Sequence, residues 1–341
     1  MTRVLANARS TCILAALVVL ASGAVALPAR ADIGNAGLSV AAFLATPPGA
    51  AAPGMAGTTL ALEGDLAAAA FNPASLGRIS RFELALSHSE LPDGSRHEWA
   101  ALGGALGPLS TRWALSGLFA GLGTFEGRDA LNQPTSDFTA SSVAVELAFA
   151  QPLSRFAALG LGVKTVSENL GSVRGTGVTF DAGLIARAGP IGFGASARNV
   201  GGTLRYGGVG YRFPVDYGVG ASFEHASGLR LEVDAHFPLD YYNDVRGGVE
   251  YRWRERFALR AGYRHELGSD ATTEPLNGPS FGLGAGLGGV WLDYAYLPSD
   301  VGATEQRIGV LLRHAGPGWH GRELGAKRVP VAADAAAAGT R

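Results

Sequence analysis

Charged side chains are scarce in this chain, and neither sign dominates. Lys, Arg, Asp and Glu make up 17% of the 341 residues and the formal net charge is −1, whereas an average soluble domain is roughly 25% charged. A nucleic-acid-binding protein would carry a basic surface, and this composition provides none. We therefore expect neither an ordinary soluble domain nor a nucleic-acid partner.

Cysteine is almost absent, and its one position excludes it from the mature chain. Cys12 precedes the apolar run 13–20 of a predicted signal peptide, which spans residues 1–31 with Arg3 and Arg9 before that run. We expect cleavage after Ala31, where small residues end the segment. Disulfides, thiolate metal sites and cysteine nucleophiles are then excluded together.

Long apolar runs are missing beyond Ala31. A membrane-spanning helix needs about 18 or more consecutive apolar residues, so no such helix is predicted in the mature chain. If the protein crosses a membrane, it has to do so as a closed barrel, because every backbone polar group must be paired within the structure.

Catalytic and metal-binding patterns are also lacking. The seven histidines are scattered without zinc-ligand spacing, and the glycine-rich stretch 282–289 lacks the Lys-Ser/Thr of a phosphate-binding loop. The run Ser87-His88-Ser89-Glu90 is reminiscent of a hydrolase, but neighbours on a strand point to opposite faces. We expect no catalytic residues, no metal and no cofactor, and hence no enzyme.

What the sequence does contain is alternation, in segments of roughly ten residues separated by turn residues. In 229–237, Leu231 and Val233 alternate with Glu232 and Asp234, so one face suits lipid and the other a wet lumen. The pattern predicts an all-β fold, a transmembrane antiparallel barrel over residues 81–314 with both chain ends in the periplasm. The predicted strands are 81–88, 97–106, 112–122, 141–150, 156–168, 176–188, 191–200, 214–225, 229–238, 244–254, 257–266, 280–288, 290–297 and 305–314, which makes 14.

Inward-facing charges of both signs cluster on three of these strands. Because unpaired charges away from water are costly, we expect an ion network that holds an object in the lumen, with a site for an anionic head group as the alternative. A charged lumen also favours a non-conducting role. The predicted network consists of Asp234, Asp244, Arg246, Glu250, Arg252, Arg260 and Arg264.

Residues 32–80 do not alternate, and several prolines interrupt them. Asp65 is suited to cap a short helix over 66–71. Asn72 before Pro73 favours an extended turn leading into the first strand. This segment is therefore predicted to lie outside the sheet, as a short N-terminal hatch.

The same segment resembles the opening of PorV/PorQ family outer-membrane proteins, in the order Gly54-Met55-Ala56-Gly57, Gly64-Asp65 and Phe71-Asn72-Pro73. The Asn-Pro-Ala turn is also similar to one in the FadL-type transporters of long-chain fatty acids. The resemblance implies a 14-stranded barrel in the outer membrane of a Gram-negative cell with a hatch in its lumen. The implied hatch motif is Gly54, Met55, Gly57, Asp65, Asn72 and Pro73.

Two functions follow from the resemblance, and the sequence leaves both open. The first is an accessory to protein secretion or surface attachment, whose partners would be secreted proteins or the secretion machinery. The second is passive transport of hydrophobic small molecules. Outer-membrane lipid is a partner in either case. Residues 315–341, rich in Ala and Gly, are predicted to be a disordered periplasmic tail.

Overall fold

The computed structural model describes residues 39–46, 48–79, 82–106, 111–129, 131–268, 277–298 and 304–313. These residues are almost entirely β-structure. The strands are β1 (Glu83–Glu90), β2 (Arg96–Leu106), β3 (Thr111–Phe125), β4 (Phe138–Ser154), β5 (Ala157–Leu170), β6 (Val173–Ala188), β7 (Ile191–Val200), β8 (Leu204–Tyr206), β9 (Val209–Tyr211), β10 (Asp216–Glu224), β11 (Leu229–Pro238), β12 (Asp244–Trp253), β13 (Phe257–Glu266), β14 (Gly278–Leu287), β15 (Val290–Leu297) and β16 (Glu305–Arg313).

Fourteen of the described strands close into one antiparallel barrel. Consecutive strands pair, β5 pairs with β6, and β16 pairs back onto β1, so the sheet has no free edge in the barrel. β8 and β9 form a hairpin added to β6, and β7 pairs directly with β10. The predicted strands correspond one by one to β1–β7 and β10–β16, so the predicted fold is confirmed.

The barrel has a polar inner face and an apolar outer face. On β11, Glu232 and Asp234 are 2% and 1% exposed, whereas Leu231 and Val233 are 44% and 56% exposed. A strand alternates its side chains with a period of two, so this division persists along the strand. A sheet of a soluble protein buries its aliphatic residues and exposes its charged ones. Here that distribution is reversed, as expected for a barrel surrounded by lipid.

The two ends of the barrel differ. Short connections at 155–156, 189–190, 225–228, 254–256 and 288–289 mark what we call the turn end, and the connections 126–137 and 201–215 mark the loop end. The predicted long loop 201–213 contains the β8–β9 hairpin, which was not predicted. Gly207 and Gly208 both have positive φ at its tip, as a tight hairpin turn requires, but three-residue strands are too short to show alternation.

Two strands extend into the loop that was predicted between them. β3 continues to Phe125 and β4 begins at Phe138, beyond the predicted limits of 122 and 141. The rings of these two residues stack with centroids 5.5 Å apart, which extends the pairing into the expected loop. A register shift between Gly121 and Gly123 accommodates the extension.

Residues 39–46 and 48–79, which we call the luminal segment, lie inside the barrel. The backbone N–H of Val40 donates to the carbonyl of Arg212 at the loop end (3.1 Å), and Nη2 of Arg78 donates to the carbonyl of Arg155 at the turn end (3.1 Å). The segment therefore runs the length of the lumen. Its first described residues lie at the loop end. The predicted periplasmic position of the beginning of the chain lies outside the described residues.

The luminal segment is built from short 3₁₀ helices, Ala42–Ala45, Pro53–Met55, Ala67–Ala70 and Pro73–Arg78 in the described part. The helix predicted over 66–71 is the third of these, and Oδ1 of Asp65 accepts from the N–H groups of Ala67 (2.8 Å) and Ala68 (3.2 Å). Asn72 is extended as predicted, with φ −149. It caps a further helix instead of entering β1, because its side chain accepts from Ala74 N.

The predicted signal peptide (1–31) and tail (315–341) lie outside the described residues. Within the part of the chain that the structure describes, no helix has the length and apolar character needed to cross a membrane.

Candidate functional site

The luminal segment lies directly on the barrel wall at three glycines of neighbouring strands, Gly248 on β12, Gly262 on β13 and Gly282 on β14. A Cβ at Gly262 would lie 2.3 Å from the carbonyl carbon of Met55, and a Cβ at Gly54 would lie 2.9 Å from the Cα of Gly282. Only glycine allows two backbones to approach this closely. We call these three residues the glycine shelf.

The turn after Met55 needs left-handed backbone at two consecutive positions, Ala56 (φ 58) and Gly57 (φ 81). Glycine adopts this conformation freely, whereas alanine is strained there by roughly 1–2 kcal/mol. The N–H of Ala56 donates to Oγ of Ser280 (2.8 Å), which helps to hold the strained residue. A Cβ at Gly57 would lie 2.9 Å from Nη1 of Arg246. Gly54, Met55 and Gly57 thus lie together at the shelf.

The peptide at Leu60 is held from two sides. Oδ2 of Asp234, on β11, accepts from the N–H groups of Thr59 (2.8 Å) and Leu60 (3.1 Å). Nδ2 of Asn72 donates to the carbonyl of Leu60 (2.8 Å) and lies 3.3 Å from the carbonyls of Leu184 and Ala195. Asp234 therefore fixes the segment to β11, and Asn72 fixes it to β6 and β7.

We expect Asn72→Ala to lower the free energy of unfolding by about 1–3 kcal/mol. The reason is that the buried carbonyl of Leu60 loses its donor and the helix Pro73–Arg78 loses its cap. Urea unfolding in lipid vesicles, followed by Trp fluorescence, measures the change. Asn169→Ala, at an exposed position of β5, is the control and is expected to change little. Equal stabilities of the two variants would show that Asn72 does not hold the segment.

The predicted charge network lies on the inner face of β11–β13, and, apart from Asp234, which binds the luminal segment, it forms two groups. One is centred on Asp244 on the loop-end side of the glycine shelf, and the other on Glu250 on the turn-end side. Each arginine of the predicted set already faces a carboxylate, so an anionic head group would have to displace one. The distances are Arg246 Nε–Asp244 (2.5 Å), Arg264 Nη2–Asp244 (2.8 Å), Arg252 Nε–Glu250 (2.7 Å) and Arg260 Nε–Glu250 (2.6 Å).

Further charged pairs line the same lumen and were missed from the sequence. Except for Arg78 and Glu63, which belong to the luminal segment, these residues occupy the same inward positions of the alternation, and their pairing depends on which strands lie side by side. They include Arg198–Asp216 (2.5 Å), His236–Asp216 (2.9 Å), Lys164–Asp181 (2.9 Å), Arg260–Asp293 (2.6 Å) and Arg78–Glu63 (2.7 Å). In the luminal segment, burial raises the pKa of Glu63, and the nearby Arg78 and Arg187 oppose that rise.

The inner faces of β1–β5 are different, because apolar side chains, many of them small, separate their polar ones. Buried charges remain there at Glu83, Glu146, Lys164 and Glu168, but they are fewer than on β10–β15. Alanines also stand at inward positions between large outward residues, as in Ala144, Ala148 and Ala150 on β4, so polarity does not mark the whole inner face. Together with the luminal segment and two loop-end residues they form one buried cluster, which we call the apolar strip: Ala41, Phe43, Leu44, Leu66, Ala69, Leu76, Ile79, Ala85, Trp99, Ala101, Ala114, Leu118, Ala120, Ala144, Ala148, Ala150, Val166, Leu204 and Phe213.

The apolar strip extends from one end of the lumen to the other. Ala41 and Leu204 belong to its loop end, next to the connection 201–215. Leu76 and Ile79 belong to its turn end, beside the Arg78–Arg155 contact. The lumen thus has a more apolar side along β1–β5, which still carries the four buried charges named above, and a more highly charged side along β10–β15. We call them the apolar side and the charged side.

The residues of the hydrolase-like run do not converge. Ser87 and Ser89 are buried on the inner face, whereas His88 is on the outer face and contacts Glu98 on β2 at 2.8 Å. Among the residues that the structure describes, no group of three or more His, Cys, Asp or Glu side chains is placed to hold a metal ion.

Comparison with solved structures finds the same barrel fold in other proteins. The toluene transporter TbuX of Ralstonia pickettii superposes with a TM-score of 0.57 at 14% identity, covering 79% of this chain and 98% of that one. The chain shares the fold of TbuX. The toluene transporter TodX of Pseudomonas putida gives 0.55 at 14% identity, covering 77% and 96%. A FadL homologue of Pseudomonas aeruginosa gives 0.52 at 11% identity, covering 77% and 97%.

At these identities the likeness concerns the fold alone. No protein-family model matches the sequence, and no curated protein matches it.

Proposed function

We propose that the protein is an outer-membrane barrel that lets hydrophobic molecules pass passively, with residues 32–80 as a hatch in its lumen. The loop end then faces the outside of the cell and the turn end faces the periplasm. Three similar structures support the proposal, since two are described as toluene transporters and one as a FadL homologue. They share the closed 14-stranded barrel.

The apolar strip is the observation that carries the proposal. A hydrophobic molecule is stabilised by roughly 25 cal/mol for each Å² of apolar surface removed from water, and the strip offers such surface from one end of the lumen to the other. The charged side does not oppose passage along the strip, because its charged groups are paired with one another and with the hatch. Passage then requires the hatch to move away from the apolar side only.

The experiment is uptake of radiolabelled toluene by a Gram-negative host that expresses the full chain. We expect the initial rate to exceed that of the vector-only strain. Phe43→Ala, which removes a buried ring from the loop end of the strip, is expected to raise the rate further, by a few-fold, because it leaves a cavity where the molecule would enter.

Phe149→Ala is the matched control. This ring is 41% exposed on the outer face of β4, away from the strip, so its loss is expected to leave uptake unchanged. Uptake by the wild type no faster than by the vector-only strain, at equal amounts of folded barrel, would reject the proposal.

A second candidate is an accessory to protein secretion of the PorV/PorQ type. It is supported by the motif from Gly54 to Leu76 and by the long loop-end connections, but not by the similar structures, whose descriptions name transporters and channels. If this second function is correct, deletion of the gene from its native organism would remove proteins from the cell surface and leave toluene uptake unchanged.

A further inference from the structure

Glu168 occupies the loop end of the apolar strip, two residues beyond Val166 on the inner face of β5. Its side chain is buried, with 7% of the residue exposed. Its carboxylate accepts hydrogen bonds from the N–H of Ala41 (3.3 Å), the hydroxyl of Ser142 (3.1 Å) and the phenol of Tyr206. The three donors belong to the luminal segment, to β4 and to the β8–β9 hairpin, so Glu168 joins all three at the entrance.

The hairpin covers this entrance with its apolar face. Leu204 is fully buried, and Tyr206 contacts Glu168 beside it. Arg205 lies between them on the opposite face and is exposed. Burial raises the pKa of Tyr206, and the hydrogen bond and charge of Glu168 raise it further, so the phenol keeps its proton and remains a donor.

Among the described residues, no lysine or arginine forms an ion pair with Glu168. Lys164, on the same face of β5, is held by Asp181 (2.9 Å) and Asn199 (3.0 Å). Arg174 on β6 turns to the outer face, where its Nε donates to Ser167 (3.2 Å).

We propose that Glu168 selects uncharged hydrophobic molecules at the loop end of the apolar strip and excludes organic anions. This rests on the proposed passive transport and names its substrate class. An anion at the entrance would meet a like charge in surroundings of low polarity, where such repulsion is strong. It would also lose its hydration without gaining a cationic partner. An uncharged hydrocarbon meets neither obstacle.

The test compares toluene with benzoate, which share a ring and differ in charge at neutral pH. Initial uptake of each radiolabelled compound is measured in a Gram-negative host expressing the full chain, and the vector-only rate is subtracted. We expect the toluene-to-benzoate ratio of the wild type to fall by about tenfold in Glu168→Gln. Ser142→Lys, which places an ammonium opposite Glu168 in the β4–β5 register, is expected to lower the ratio in the same way and provides a second route if the first variant does not fold.

Two controls separate charge from structure. Tyr206→Phe removes one hydrogen bond to Glu168 and keeps its charge, so the ratio is expected to stay at the wild-type value even if both rates rise. Glu126→Gln, in an exposed loop-end position, is expected to change neither rate.

The outcomes separate this inference from the proposed function. If toluene uptake persists and folded Glu168→Gln and Ser142→Lys both keep the wild-type ratio, Glu168 does not select by charge and the inference fails alone. If the wild type takes up neither compound faster than the vector-only strain, the proposed transport itself fails.

Discussion

We expect Gly194→Ala to destabilise the protein more than any other single methyl addition in the barrel wall. Gly194 lies on β7 beneath Leu60, and a Cβ there would be 1.8 Å from the Leu60 carbonyl oxygen and 2.3 Å from its carbonyl carbon. Neither atom belongs to a flexible side chain, so the luminal segment has to move as a whole. Overpacking of this kind typically costs about 1–3 kcal/mol, and here it also breaks the Asn72–Leu60 hydrogen bond.

Two measurements detect the displacement of the luminal segment. Urea unfolding in lipid vesicles reports the loss of stability, and entry of a large hydrophilic antibiotic such as vancomycin into expressing cells reports an opened lumen. We expect the variant to unfold at lower urea concentration and to sensitise the cells.

Gly247→Ala is the control for this prediction. It is also a strand glycine, but a Cβ there would meet nothing within 4 Å, so neither measurement is expected to change by much. If Gly194→Ala behaved like Gly247→Ala, the luminal segment would not be fixed against β7.

The fourteen barrel strands could be predicted because each is long enough to show the alternation of inward and outward side chains. On β12, Val245 and Tyr251 face outward while Asp244 and Glu250 are buried, which a period of two shows directly. β8 and β9 have three residues each and show no period. The pairing of β8 with β6 depends on the connection 201–215 folding back against that strand, and local sequence does not encode that.

The pairing of the lumen charges could be predicted only in part. That Arg260 and Glu250 both face inward follows from alternation, but their 2.6 Å contact depends on the register between β12 and β13. Arg260 also reaches Asp293 on β15 at 2.6 Å, across β14, because Gly282 and Gly284 on the intervening strand leave the space. Register and strand order of this kind come from the closed sheet.

The apolar strip was the part of the candidate site least visible in the sequence. Alanine is small and weakly apolar, so Ala144, Ala148 and Ala150 do not look like a binding surface. Their meaning appears only when strands β1–β5 stand side by side and the luminal segment brings Phe43, Leu44 and Leu66 against them. A prediction based on charged positions alone therefore favoured the non-conducting role.

Asp234→Ala is expected to release the luminal segment from the charged side of the lumen. One carboxylate oxygen of Asp234 holds the N–H groups of Thr59 and Leu60 at 2.8 and 3.1 Å, and both residues are buried. Each buried N–H left without an acceptor costs about 1–3 kcal/mol, so we expect the free energy of unfolding to fall by about 2–4 kcal/mol. Urea unfolding in lipid vesicles measures this change.

The matched control is an aspartate that makes the same bonds in water. Oδ1 of Asp129, in the exposed connection after β3, accepts from the N–H groups of Leu131 (2.8 Å) and Gln133 (2.9 Å). Water replaces the lost acceptor there, so Asp129→Ala is expected to change stability by less than about 0.5 kcal/mol. Equal losses of stability in the two variants would mean that the hydrogen bonds from Thr59 and Leu60 to Asp234 stabilise the protein no more than those of a surface turn. A loss confined to Asp234→Ala, together with unchanged toluene uptake, would show that the charged side fixes the hatch while the apolar side remains the path.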